Sequence, residues 1–186
     1  MGGGSALNGK IFARAAKRDY DDWATYMEDG SAPRNGWSKM LRYFQKSETF
    51  TPPTEMYRTA PDGNVTWESD THGFDGPISA TFPAQFYPSL HSMLATEEAM
   101  GIPRVHDQAG GAPFGSLFYP ASERPAAGEY VRSYSKNEYF DPIRDQDNIH
   151  LLPETTVTRI LFERSRAVGV EVCGSQVDQV KSIASG

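Results

Sequence analysis

Apolar residues recur at helical spacing in two stretches of the chain. Trp37, Met40, Leu41 and Phe44 share one face of a helix whose other side carries Lys39, Arg42, Gln45 and Lys46. Glu48 to Pro53 ends that helix, because Pro52-Pro53 stops any continuation. Pro88 suits the first position of a second helix running to about Met100, with Leu90, Met93 and Leu94 as its apolar face. Gly101-Ile102-Pro103 closes it. A short helix is expected within Asp19–Asp29, capped by Asp19 and gathering Tyr20, Trp23 and Met27. Another is expected within Arg124–Phe140, with Tyr130, Val131, Tyr134 and Asn137 along one side. Alternation by two marks Thr155–Phe162 and Ala167–Val172, joined by the polar turn Glu163-Arg164-Ser165-Arg166, as a hairpin. Ile78–Phe82 and Ile149–Leu152 read as short strands. The stretches Thr54–Gln85 and Gly101–Pro120 are rich in glycine and proline and have no period. The fold class is mixed α/β.

Composition narrows this picture. With 186 residues the chain is long enough to bury a real core. Its formal charge of -6, with no basic cluster interleaved by aromatics, speaks against nucleic-acid partners. No apolar run is long enough for a membrane span and no signal-peptide pattern opens the chain, so the location stays open. Cys173 is the only cysteine, which excludes an intrachain disulfide. Asn64-Val65-Thr66 fits a glycosylation acceptor that matters only in a secreted protein.

The amino end carries the densest chemistry. Gly2-Gly3-Gly4-Ser5-Ala6-Leu7-Asn8-Gly9 permits left-handed backbone angles and close approach to a flat or anionic group. Leu7, Ile11 and Ala15 fall on one helical face, so the glycine loop is expected to run into a helix. A flexible end or a plain turn fits the same composition. No complete G-x-G-x-x-G or G-x-x-x-x-G-K-[ST] is present. Metal chemistry has no support, since the histidines show no ligand spacing, and no G-x-S-x-G elbow marks a hydrolase. His72 and His106 are the weak candidates for acid–base work. Each is also readable as a loop hydrogen bonder. His106-Asp107 are adjacent, and neighbours in sequence rarely face one another as base and orienting acid. Trp23 either supports the loop or packs in the core, and core packing is the simpler reading. Phe114, Phe118 and Tyr119 could line a pocket.

The stretch from Gly2 to Asn8 resembles the first signature of the glucose–methanol–choline oxidoreductases, FAD-dependent enzymes. Phe12, Ala15 and Asp21 fit its later positions, and Arg14 and Trp23 its downstream run. Tyr43-Phe44-Gln45-Lys46-Ser47-Glu48, His72-Gly73-Phe74-Asp75-Gly76-Pro77-Ile78, Arg132-Ser133 with Tyr139, and Arg166-Ala167-Val168-Gly169-Val170-Glu171 resemble further family segments. The resemblance implies FAD as cofactor. It implies that Gly4, Ser5, Asn8, Gly9 and Ile11 lie at the flavin, and that the Val157 backbone approaches the adenine. It implies FAD-domain portions at 1–53 and 141–186 and a cap or substrate-side portion at 54–140, within one compact unit of residues 1–186.

The family's amino-terminal dinucleotide turn and its carboxyl-terminal catalytic histidine region have no counterpart in these residues, so an internal fragment is expected. The reading is an FAD-linked oxidoreductase acting on CH–OH groups, or an incomplete piece of one, that takes a small organic alcohol or apolar metabolite. The alternatives are a shortened homologue that isomerises, cyclises or binds a metabolite, and a non-catalytic interaction module. Sheet edges left open by such a fragment would call for a homodimer or a complementary chain.

Overall fold

Both amphipathic stretches are helices in the computed structural model, which describes residues 1–26, 36–53, 65–83, 87–127, 129–174 and 177–184. The chain gathers into two compact units, residues 1–142 and 143–186. In the first, a single turn α1 (Gly4–Leu7) precedes α2 (Lys17–Thr25) and α3 (Trp37–Ser47). In α3, Trp37 is buried, Met40, Leu41 and Phe44 are half-buried, and Lys39, Arg42 and Lys46 are exposed, as the period requires. Asp21 Oδ1 accepts the Trp37 N–H at 2.8 Å and ties α2 to the start of α3. The helix starts two residues before the expected cap: Ala16 is the N-cap of α2, and Asp19, at the third helical position, reaches back to accept the Ala16 N–H at 3.0 Å. Tyr20 packs α2 on α3, with its ring 5.5 Å from Phe44 and 5.7 Å from Trp37. Trp23 does not join the core. It is 60% exposed and, among the described residues, its ring meets Tyr20 edge on. Met27 and Asn64 lie outside the described residues.

The chain leaves α3 directly into β1 (Glu48–Thr51), which pairs in parallel with β2 (Ile78–Thr81), Glu48 facing Ile78 and Thr51 facing Thr81. The returning loop passes so close to the end of α3 that a Cβ on Gly73 would sit 1.8 Å from the Gln45 carbonyl oxygen, and one on Gly76 2.3 Å from the Glu48 nitrogen. This is the physical reason for glycine at both positions of His72-Gly73-Phe74-Asp75-Gly76-Pro77. On the far side of β2, Thr81 and Ala121 exchange backbone hydrogen bonds, and residues 10–12 run beyond, Ser122 donating to Lys10 and Phe12 to Pro120. Helix α4 (Pro88–Ala99) begins at the expected proline and stops before Gly101, whose φ is +86°. Leu94 enters the core while Met93 stays outside, so the apolar face of α4 is narrower than its sequence suggests. Phe50, Val65, Ala80, Phe82, Leu94 and Phe118 form that core, with Phe12, Trp67 and Leu90 against it.

Two expectations fail. The segment taken as a helix over Arg124–Phe140 is a hairpin, β3 (Glu123–Ala126) and β4 (Glu129–Arg132), followed by one wide helical turn at 136–140. Pro125 has no N–H for a helix interior, and Glu129 to Arg132 alternate exposed and half-buried, a strand period. Ile149–Leu152 forms no strand, and both leucines are exposed. The second unit is an antiparallel sheet, β5 (Thr155–Glu163), β6 (Arg166–Gly174) and β7 (Val177–Ala184), in that order. Its first hairpin turns at Arg164-Ser165 as the sequence indicates, with Arg164 at φ +58°.

Candidate functional site

Three glycines in a row cannot hold one conformation by themselves, so the turn at the amino end must borrow its shape. Gly2 and Gly3 take positive φ angles of 106° and 51°, after which Gly4–Leu7 make their single helical turn. The helix expected to continue through Ala15 is not formed. Asn8 is extended at ψ 172° and Lys10 stands at φ +66°. The Lys10 N–H then reaches back to Asn8 Oδ1 at 3.0 Å, an Asx turn that ends the helix. Beyond it, the backbone of Phe12 and Arg14 finds partners in Pro120 and the Gln108 side chain.

One side of this turn is braced by Arg132 at the end of β4 and by the residues that follow it. Arg132 Nη1 donates to the Ser5 carbonyl at 3.2 Å and to Asn8 Oδ1 at 2.7 Å, and Nη2 donates to the Asn8 carbonyl at 2.8 Å. Ser135 and Ser5 lie hydroxyl to hydroxyl at 2.9 Å, and Ser135 Oγ donates to the Gly2 carbonyl at 3.2 Å. A side chain at Gly2 would strike the Tyr134 ring, with Cβ 2.7 Å from Cδ2. Lys10 is anchored in turn by an ion pair with the buried Glu123 at the start of β3. The opposite side is bare. A Cβ on Gly3, Gly4 or Gly9 would meet nothing within 4 Å. Among the described residues no backbone acceptor takes the amides of those three glycines.

The sequence candidates Gly4, Ser5, Asn8 and Gly9 therefore meet in one turn with a packed back and an open front. Ile11 follows, 66% exposed, its backbone bridged to Ala121. Val157 belongs to the second unit, exposed on β5 opposite Val172.

Behind the turn lies a sealed cluster of charge that sequence spacing does not reveal. Arg14 Nη2 donates to Glu48 Oε2 at 2.6 Å, and Nη1 to the carbonyls of Thr71 at 2.7 Å and Ala109 at 2.9 Å. His72, 4% exposed, stands with Nδ1 2.8 Å from Glu48 Oε1 and lies stacked on Phe50 at 3.8 Å. Its Nε2 is 3.3 Å from Asp107 Oδ2, an ion-pair contact rather than an aligned hydrogen bond. Asp107 also accepts from the Thr71 hydroxyl and from the backbone of Glu68 and Ala109. Burial pulls the His72 imidazolium down, but Asp107 and Glu48 outweigh it and leave its pKa raised. Burial would raise Asp107, yet His72, Thr71 and the Glu68 N–H bring it to about 2. Burial lowers the Arg14 pKa against the pull of Glu48 and Asp107. Two cations and two anions thus neutralise one another. With carboxylates at both ring nitrogens, His72 is placed as a cation between two anchors. His106 is exposed and pairs with Glu68 Oε1 at 3.0 Å. It lines an open cleft of about 360 Å³ with Pro52, Pro53, Val65, Thr66 and Trp67. The expected aromatic pocket does not assemble: Phe118 is in the core and Phe114 is exposed. Among the described residues no group of histidine, cysteine and carboxylate side chains could hold a metal, and no helix is long and apolar enough to cross a membrane.

A family model described as GMC oxidoreductase matches residues 1–185. A dehydrogenase, xptC, of Emericella nidulans is 37% identical over 175 residues, covering 94% of this chain and 27% of that protein. Among solved structures, an FAD-dependent oxidoreductase from Chaetomium thermophilum superposes with a TM-score of 0.85 at 31% identity, over 97% of this chain and 30% of its own. A fungal aryl-alcohol oxidase superposes with a TM-score of 0.82 at 27% identity, over 98% and 30%. The chain spans about a quarter of the length of the curated relative, 27%.

Proposed function

The chain belongs to the GMC oxidoreductases, and we propose that it forms the flavin-facing portion of an oxidoreductase that acts on CH–OH groups of small organic donors. FAD is the cofactor of this family. One observation carries the reading: the turn at Gly2–Gly9 is held rigid on one side by Arg132, Tyr134 and Ser135 and left without side chains on the other. The donor set fits the group. Glycines at 3, 4 and 9 let a flat, anionic molecule approach the backbone, and their unspent amides supply hydrogen bonds to it. Gly4, Ser5, Asn8, Gly9 and Ile11 are the residues of the first unit that would hold it. Bound there, a flavin would supply the hydride-accepting chemistry for oxidation of the donor carbon. The protein's share is to hold that ring still and exclude water. His72 fits a positioning role, because its ring is buried between the Glu48 and Asp107 carboxylates, which hold it in place and raise its pKa. The aryl-alcohol oxidase among the structural relatives supports alcohols as the substrate class.

Titrating the purified chain with FAD and scanning its absorbance tests the proposal. A saturable shift of the flavin band is the expected result. A folded chain whose spectrum is the sum of protein and free FAD overturns it.

A further inference from the structure

Asn8 is the one side chain in the turn with hydrogen-bonding groups at both ends of a flat amide, and the structure decides which end faces out. Its Oδ1 accepts from Arg132 Nη1 at 2.7 Å and from the Lys10 N–H at 3.0 Å. Both neighbours are donors only. A carboxamide rotated by half a turn would set its NH2 against an N–H and a guanidinium, losing two hydrogen bonds and adding repulsion. The other end, Nδ2, donates to none of the described residues, and Asn8 is exposed.

We propose that Arg132 is a positioning residue that fixes the Asn8 carboxamide so that Nδ2 is presented as a donor on the cofactor side of the glycine turn. This rests on the flavin reading above. Arg132 suits the task because one planar guanidinium spans three acceptors, the carbonyls of Ser5 and Asn8 and Asn8 Oδ1. Its own place is set by β4, paired with Glu123 of β3, and by Asn137, whose Nδ2 donates to the Arg132 carbonyl at 2.9 Å. Lysine offers a point charge that cannot bridge the same three oxygens.

The test uses Arg132→Lys, Arg132→Gln, Asn8→Ala and Asn8→Asp in the full chain, with two readouts. Without FAD, the side-chain amide signals of Asn8 are followed by NMR. Both Arg132 variants are expected to move and broaden them. Unmoved signals in Arg132→Lys overturn the clamp. With FAD, each Arg132 variant is expected to lose about tenfold in affinity, the scale of a charge-assisted hydrogen bond, and to shift the flavin band. In the Asn8→Ala background the Arg132 substitutions are expected to cost clearly less than in the parent, because only the bonds to the Ser5 and Asn8 carbonyls are then lost. Additive effects show that Arg132 does not act through Asn8 and overturn the proposal. Asn8→Asp keeps the acceptor for Arg132 and Lys10 and replaces the Nδ2 donor with a charged acceptor oxygen. It is expected to leave the loop amide signals in place while weakening FAD, and unchanged affinity overturns the outward donor. A wild-type chain that takes up no FAD overturns the flavin reading, while the unloaded Asn8 signals still decide the clamp.

Discussion

The glycine turn and the His72 cluster treat polar groups in opposite ways. In the cluster every charge is answered: Arg14 by Glu48 and two carbonyls, His72 by Glu48 and Asp107, Asp107 by three further donors. In the turn the amides of Gly3, Gly4 and Gly9 are left unspent among the described residues. Buried ions without partners are costly, whereas exposed amides rest against water until something displaces it. The cluster therefore serves stability, while the turn keeps donors free for the recognition proposed above. The backbone from Lys10 to Arg14 joins them.

Removing the anion between the two cations should break the comparison most severely. Glu48→Ala leaves Arg14 and His72 facing each other in a fully buried site and is expected to cost about 3–5 kcal/mol, read by urea denaturation. Gly73→Ala comes next. The Gln45 carbonyl is backbone and cannot swing aside, so a loss of about 2 kcal/mol or more is expected in the same assay. Gly4→Ala is the sharpening counterpart. It meets nothing and sits at ordinary helical angles, so stability should hold within about 1 kcal/mol while FAD affinity falls.

The pH dependence follows from the two shifted groups. His72 has a raised pKa, so its contribution is complete below its ordinary value of 6.5 and is lost as pH climbs through the higher folded value. Asp107, held at about 2, contributes above its ordinary 3.8 and is lost as pH falls toward about 2. Urea midpoints against pH should decline on the alkaline side in the parent, and His72→Gln should flatten that limb. The smallest effect is expected from Trp23→Ala. Its one edge contact with Tyr20 is worth about 1 kcal/mol or less, and FAD binding should not change.

Sequence pattern reveals what depends on period. Helices α3 and α4 bury one face, and the β5–β6 hairpin alternates, so each leaves a mark within a short window. It misses β1, because four residues after an amphipathic helix carry too little period to be seen, and β3–β4, because aromatic and β-branched residues at 130, 131 and 134 mimic a helical face. Strand β7 is missed too, because Val177, Val180 and Ile183 recur every third residue rather than every second. The turn residues are legible because glycines and an asparagine at fixed spacing are rare. Arg14, Glu48 and Asp107 are not, since their partners come from distant loops with no spacing rule. One signal was available: Glu48 and Phe50 occupy the same buried face of β1, and a carboxylate at a core-facing position demands a cation.

The brace on the glycine turn has a consequence for how the molecule is made. Ser5 and Asn8 are translated well before the guanidinium that holds them, which lies 127 and 124 positions later, and the Ser135 hydroxyl that bonds Gly2 lies 133 later. Until that hairpin emerges and closes a loop of this length, the turn has no fixed shape to offer. The grip on the glycines therefore waits until nearly all of the first unit has been translated, and a chain halted before residue 132 should carry the glycines without it.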